Sequence, residues 1–283
     1  MHHIPAPWRS VKIPVEFHQV ESNLRQSFRA LAAGRPDSDV RELRGVSVAS
    51  LGVAFQMFNA AFLNGPVTTI GELEQRLELA RMCLAGSSNG WAFWFCEDWI
   101  ERPVRRRLTQ TCARFGLHFS SELPGMIAAE LSLPKRTLPD LEFRRADGPS
   151  GLSDFRTVGE VCFRVPPKWF AEVFHDDAGA DYPEFAGWVG YSAGLPVATA
   201  AAVLSDDAIG LYNIATIPEY RGKGVAEAIT RHVAAVTRDT AGPLPFVLQS
   251  TSMGYRMYGK LGFREVTRIL VFNSETRSSG GLA

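Results

Sequence analysis

Apolar positions in the second half of the chain recur with two distinct spacings. Ile209-Gly-Leu-Tyr-Asn-Ile-Ala-Thr-Ile217 is a near-continuous apolar run closed by Pro218, the pattern of a buried strand. Beyond the connector at 219–224, Val225, Ala228, Ile229, Val233 and Val236 return at helical intervals, so one face of the next helix is apolar. Around this pair the pattern predicts a first strand at Leu141–Arg145 and short helices at Asp154–Phe163 and Lys168–Phe174, punctuated by Pro166-Pro167. A meander follows, with strands at Gly187–Tyr191 and Val197–Leu204 and turns at Ser192–Gly194 and Asp206-Asp207. A strand at Phe246–Gln249, a helix at Met253–Leu261 and a strand at Arg264–Phe272 close the sheet.

The first half is less regular. Trp91–Cys96 is a short apolar strand, followed by a helix from about Pro103 to Arg114 and by apolar pieces at Phe115–Phe119 and Pro124–Ala128. The succession strand, helix, strand repeats the end of the second half, a weak internal duplication. Between the halves, Leu133-Pro-Lys-Arg-Thr-Leu-Pro-Asp140 carries two prolines and interrupts the periodicity on both sides. A boundary there divides the chain into domains at 1–135 and 140–275. Ser274–Ala283 reads as a frayed tail, disordered over 276–283, because its glycines and serines have nothing to bury.

With 283 residues, two smaller cores are the better expectation than one large one. Apolar residues at 46% and charged residues at 21% describe an ordinary soluble globular protein. Thirty basic and thirty acidic side chains cancel, which argues against nucleic acid as a partner. Cys83, Cys96, Cys112 and Cys162 show no C-x-x-C spacing and no companion histidines. No metal site is expected, and reduced thiols in the cytoplasm are the default. Met1–Trp8 lacks a signal-peptide pattern, and no apolar run approaches the roughly 20 residues of a membrane span.

The chemistry concentrates in Arg221-Gly-Lys-Gly-Val-Ala226, set between the buried strand and the amphipathic helix. A glycine-rich turn at that place leaves helix N-terminal amides unpaired where the macrodipole also favours negative charge. Gly222 and Gly224 let the backbone approach a ligand closely, so the turn is a candidate diphosphate cradle; a tight connection is the alternative. No Gly-Lys-Ser/Thr follows and only two glycines occur, which excludes the triphosphate loop and the dinucleotide fingerprint.

Ile217-Pro-Glu-Tyr-Arg-Gly-Lys-Gly224, followed by Tyr258-Gly-Lys-Leu-Gly-Phe263, resembles the GNAT superfamily of CoA-dependent N-acetyltransferases over roughly residues 140–273. The family's Arg/Gln-x-x-Gly-x-Gly/Ala loop matches Arg221 to Ala226, and its Tyr-x-x-x-Gly-Phe segment matches Tyr258 to Phe263. The resemblance implies an α/β (α+β) fold with a mixed, mostly antiparallel sheet flanked by helices. The first half would be a second, partial GNAT-like domain, since Val40–Gly90 holds nothing like the loop. Packing against the second domain and walling the substrate cleft would be its work. Acetyl-CoA is implied as co-substrate, with a small-molecule or amino-acid-like amine as acceptor, and a homodimer is left open.

Residue by residue, the resemblance carries Tyr258 over as the general acid that protonates the departing thiolate. Ile214, Ala215 and Thr216 become the strand that pairs with the pantetheine arm, beside a bulge that opens the sheet. Arg221, Gly222, Lys223, Gly224, Val225 and Ala226 become the diphosphate loop, and Thr251 and Ser252 further cofactor contacts. Each has a plainer alternative: a core ring for Tyr258, buried strand for 214–216, a solvated lysine for Lys223, and a helix cap for Thr251 or Ser252. Tyr255 rivals Tyr258 on nearly the same face.

No base stands out among Glu160, Glu172, His175 and Asp207. Trp169, Phe174 and Trp188 read either as an apolar substrate wall or as core. Arg102, Arg105, Arg106, Arg107 and Arg114 lie near Glu97, Asp98 and Glu101, so a solvated, salt-bridged face is expected there. Two other functions compete: a non-catalytic acyl-CoA-binding regulatory module, and aminoacyl transfer from tRNA, which the zero net charge and intact loop disfavour.

Overall fold

The computed structural model describes residues 14–33, 35–84, 86, 89–174 and 185–275. Its first half runs α1 (Val15–Ala32), β1 (Asp39–Leu43), β2 (Val46–Ser50), β3 (Asn59–Leu63), α2 (Ile70–Leu84) and β4 (Ala92–Cys96). Short helices α3 (Arg102–Arg105) and α4 (Leu108–Ala113) lead into the long strand β5 (Leu117–Ala128). The second half runs β6 (Glu142–Arg145), α5 (Gly148–Phe163), α6 (Pro167–Val173), β7 (Phe185–Ser192), β8 (Leu195–Leu204) and β9 (Ile209–Thr216). It ends with α7 (Val225–Ala241), β10 (Phe246–Gln249), α8 (Ser252–Lys260) and β11 (Arg264–Ser274).

All the described strands join one 11-stranded sheet in the order β1-β2-β3-β4-β11-β5-β10-β9-β8-β7-β6. The order is nearly a palindrome. β1 to β4 pair antiparallel, antiparallel, parallel, and β7 to β10 repeat that sequence from the other side, with β6 added outside β7 as the edge strand. At the centre the halves exchange strands: β11 lies between β4 and β5, and β5 lies between β11 and β10. Neither half therefore closes its own sheet.

Helix α1, whose apolar residues Phe17, Val20, Leu24, Phe28 and Leu31 follow helical spacing, lies across the middle of the sheet and touches strands of both halves. Asn23 on its buried face donates to the Val203 and Ala208 carbonyls and accepts from the Tyr212 hydroxyl at 2.8 Å. One apolar cluster joins β2–β4, α2 and α4 to Ile269, Val271 and Phe272 of β11. A second packs α7 and α8 on β8–β10, and a third joins Leu31, Leu51 and Val53 to α5 and α6. No described helix is long and apolar enough to cross a membrane.

Several expectations need correction. The helix expected over Pro103–Arg114 is two short ones, because the backbone at Arg107 (φ −109°, ψ 2°) leaves helical geometry while Val104 and Leu108 both stay buried. Leu117–Phe119 and Pro124–Ala128 belong to one strand, β5, with Phe115 and Gly116 in the turn before it; register shifts against β11 break its alternation and make it read as two pieces. Ser274 ends β11 rather than starting a tail: its amide donates to the Trp91 carbonyl and its hydroxyl accepts from the Trp91 amide, both at 2.8 Å. Residues 276–283 and His175 lie outside the described residues.

In the first half, the place corresponding to the glycine loop is filled. After β3 the chain returns to the sheet, and Val67 forms a parallel bridge with Ile100, donating to Trp99 O (2.6 Å) and accepting from Glu101 N (3.0 Å). The N-terminus of α2 is capped by its own sequence. Thr69 Oγ1 accepts from Glu72 N, while the Glu72 carboxylate accepts from the Thr68 and Thr69 amides. Those bonds hold the Glu72 carboxyl below the usual range. A side-chain anion thus occupies the position that α7 leaves open. Glu72→Ala should lower stability by about 1 kcal/mol in urea unfolding without altering cofactor affinity.

Candidate cofactor cleft and acyl-transfer site

The parallel pair β9–β10 is joined only at Ile209↔Phe246 and Gly210↔Val247. Beyond those positions β9 stays with β8 and β10 stays with β5, so the sheet opens like a V. The opening has a local cause. A register shift sets Thr199 against Ala215 but Ala201 against Tyr212, placing a bulge at Asn213-Ile214. Asn213 takes a left-handed conformation (φ 47°), and its carbonyl accepts from the Thr199 hydroxyl at 2.9 Å. Asparagine tolerates that conformation better than most residues, a signal that sequence reading passed over.

The V opens into a cavity of about 700 Å³. Ile214, Ala215, Thr216, Arg221, Gly222, Gly224, Val225, Ala226, Thr251, Ser252 and Tyr258 all line it. Lys223 does not: its Nζ stands 5.1 Å from the Tyr220 ring centre. Gly222 and Gly224 have φ of 75° and 91°, and no side chain caps the first turn of α7. The loop therefore presents orphan amides to the cavity at the positive end of a 17-residue helix. Arg221 Nε donates to the Thr216 carbonyl at 2.9 Å and fastens the loop to the end of β9. Thr251 caps α8, its hydroxyl accepting from the Gly254 amide, so the capping reading holds for it within the cleft wall.

Tyr258 sits at the inner wall with 7% of its surface exposed, packed edge-on against Phe263. Gly254, one turn earlier, makes room for the ring, since a Cβ there would stand 2.7 Å from its Cε2. The hydroxyl makes no hydrogen bond to another described residue, and burial raises its pKa well above the ordinary tyrosine value. It is a protonated donor facing the cleft. Tyr255 points away: its hydroxyl donates to Glu265 at 3.1 Å, and it does not line the cavity. Two further lining residues hold buried polar atoms without partners, Thr216 Oγ1 and Gln249 Nε2. An amide-bearing arm threaded through the V would supply both with partners, and the loop amides fit a diphosphate.

The other candidates lie elsewhere. Glu172 accepts from the Ala54 amide at 2.8 Å, Asp207 shapes a turn with Ser205, and neither these nor Glu160 line the cleft. Trp169 stacks on Phe55, Phe174 packs in the α5–α6 core and Trp188 contacts His232, so all three are packing rather than a substrate wall. Arg105 pairs with Glu97 at 2.9 Å and Arg114 pairs with Glu74, consistent with a salt-bridged surface. Cys96 and Cys112 are buried; Cys162 lines the cleft, its thiol pKa raised by burial. Among the described residues no group of three or more metal-ligating side chains occurs.

Residues 183–265 match the family model of the acetyltransferase (GNAT) domain, a span that covers β7 to α8 and the whole V. This part of the chain is similar to a GNAT acetyltransferase domain. No curated protein matches the sequence. Solved structures match the fold across most of the chain. A GCN5-related N-acetyltransferase from Kribbella flavida aligns at 15% identity and TM-score 0.67, over 93% of this chain and 96% of that one. A conserved protein of unknown function from Staphylococcus epidermidis aligns at 15% identity and TM-score 0.61, over 84% and 94%. A GCN5-related N-acetyltransferase from Sphaerobacter thermophilus aligns at 16% identity and TM-score 0.54, over 84% and 79%. The fold shared with the first extends beyond the GNAT domain to the strand-exchanged first half.

Proposed function

We propose that the protein transfers an acetyl group from acetyl-CoA to the amine of a small, amino-acid-like acceptor by direct attack in a ternary complex. One observation carries this reading: the uncapped glycine loop, the opened β9–β10 pair and the Tyr258 hydroxyl all face one cavity. The loop amides from Gly222 to Ala226 hold the diphosphate. The edge of β9 at Ile214–Thr216 aligns the pantetheine arm as an added strand, with Thr216 and Gln249 as polar partners. Thr251 and Ser252 border the same arm.

Acyl transfer from a thioester needs a neutral amine and a stabilised leaving thiolate. A thiol titrates near about 8.5 and an alkyl ammonium near about 10.4. Tyr258, with its pKa raised, remains protonated while the thiolate forms and donates to the sulfur as the bond breaks. The acid that lines the cleft among the described residues, Glu227, is paired with Arg231 at 2.8 Å. The amine proton therefore leaves through water rather than to a cleft carboxylate.

Thiol release from acetyl-CoA, measured against a panel of amines, amino acids, aminoglycosides and peptides, tests the reading. Turnover with one chemical class supports it; tight acetyl-CoA binding with no turnover supports the non-catalytic regulatory module instead. Tyr258→Phe should lower kcat by about 100-fold while acetyl-CoA affinity stays within a few-fold. In the wild type, kcat/KM should keep rising to about pH 9, because the amine loses its proton while the tyrosine keeps its own. A variant as fast as the wild type across that range would reduce Tyr258 to packing.

A further inference from the structure

The loop's own cations are largely committed. Arg221 is turned back onto Thr216 and Lys223 lies over Tyr220, so neither is aimed squarely at the cradle. A third cation arrives from outside the GNAT domain. Arg136 belongs to the segment 129–141 that joins β5 to β6, and its guanidinium lines the cavity. Its Nη1 reaches the Gly222 carbonyl at 3.4 Å, and a Cβ built on Gly224 would stand 3.2 Å from its Nη2. The guanidinium thus lies against both glycines whose amides open into the cleft.

Arg136 is held there loosely. Its Nε is 3.9 Å from Glu227, a carboxylate that Arg231 already binds at 2.8 Å, and its side chain is 53% exposed. An exposed pair at that distance contributes little, so the charge is available to a stronger anion. A guanidinium presents parallel donors that match phosphate oxygens, and a diphosphate offers oxygens on both groups. Arg256 and Lys260, the remaining basic residues lining the cleft, stand on α8 at the opposite wall.

We propose that Arg136 is a diphosphate-binding residue, supplied to the cofactor loop by the segment that connects the two halves. The proposal rests on the acetyl-CoA reading and adds a consequence: cofactor binding tethers the connecting segment to the loop. The connecting segment thereby takes part in binding, although the loop position of the first half is filled.

Calorimetric titration of the full chain with CoA and with 3′-dephospho-CoA tests this, using Arg136→Gln, Arg136→Lys and the wild type. Arg136→Gln should weaken both ligands by the same factor, about tenfold or more. It should also reduce the salt dependence of binding. Arg136→Lys should recover part of the loss, since a point charge replaces the fork. The melting temperature should not change, because the side chain is half exposed. Equal affinity of Arg136→Gln and wild type overturns the assignment while leaving the acetyl-CoA reading intact. A loss seen with CoA but not with 3′-dephospho-CoA also overturns it, placing Arg136 on the ribose phosphate. Failure of the folded wild type to bind either ligand removes the acetyl-CoA reading itself.

Discussion

Removing residues 1–135 is expected to leave no soluble, active fragment, although the GNAT domain begins well after that point. Strand β5 would be lost, and with it the partner of β10 from Phe246 to Gln249 and of β11 from Arg264 to Ser274. β11 would lose β4 as well. Ile269, Val271 and Phe272, now buried in the cluster of the first half, would face water. Each such side chain contributes about 1.5–3 kcal/mol of burial, against a total stability of only about 5–15 kcal/mol for a typical domain. Loss of α1 removes Asn23 from the Tyr212 hydroxyl beside the bulge that opens the cleft. The check is soluble yield, cooperative melting and acetyl-CoA binding of the fragment 136–283. A fragment that melts cooperatively and binds like the full chain would show that the exchanged strand is dispensable.

Gly224→Glu should abolish acetyl-CoA binding, by at least about 100-fold, equivalent to about 2.7 kcal/mol. Two effects combine. The backbone at 224 has φ of 91°, which costs a residue with a side chain about 1–2 kcal/mol, and a Cβ there would crowd Arg136 and Pro139 at 3.2 Å. The added carboxylate then places negative charge among the amides proposed to receive the diphosphate. Gly224→Ala separates the terms, because it carries strain and crowding without charge. It should lose stability like the glutamate variant but keep more of the affinity. Comparable binding by the glutamate variant in calorimetry would remove this loop from the cofactor site.

The second half was legible because its signals are local. Apolar runs bounded by turn residues gave β7 to β9, Val225 to Val236 gave α7, and two glycines between β9 and α7 marked the loop. Tyr258 and Tyr255 shared a face on paper; only packing turned one inward beside Gly254 and the other towards Glu265. What stayed hidden depends on partners distant in the chain. α1 went unread because Glu21, Asn23 and Ser27 lie on its buried face and dilute the apolar stripe. Asn213 and Arg136 gain their importance from a bulge against Thr199 and from the approach of a linker to Gly222, neither of which has a spacing in the sequence. Nor does the exchange of β5 and β11: each strand is ordinary locally, and only the sheet order reveals that it completes the other half.

That exchange has a consequence for synthesis on the ribosome. When Ala128 has been made, β4 still lacks one of its neighbours, and the missing strand begins only at Arg264. At about 5–20 residues per second, translation of the intervening stretch takes on the order of ten seconds. Throughout that interval the aromatic strand Ala92–Cys96 has an unpaired edge and the cluster beneath it lacks Ile269, Val271 and Phe272. The nascent chain is then a natural client for chaperones that cover apolar strands, and a codon that stalls elongation between the halves would lengthen its most aggregation-prone moment.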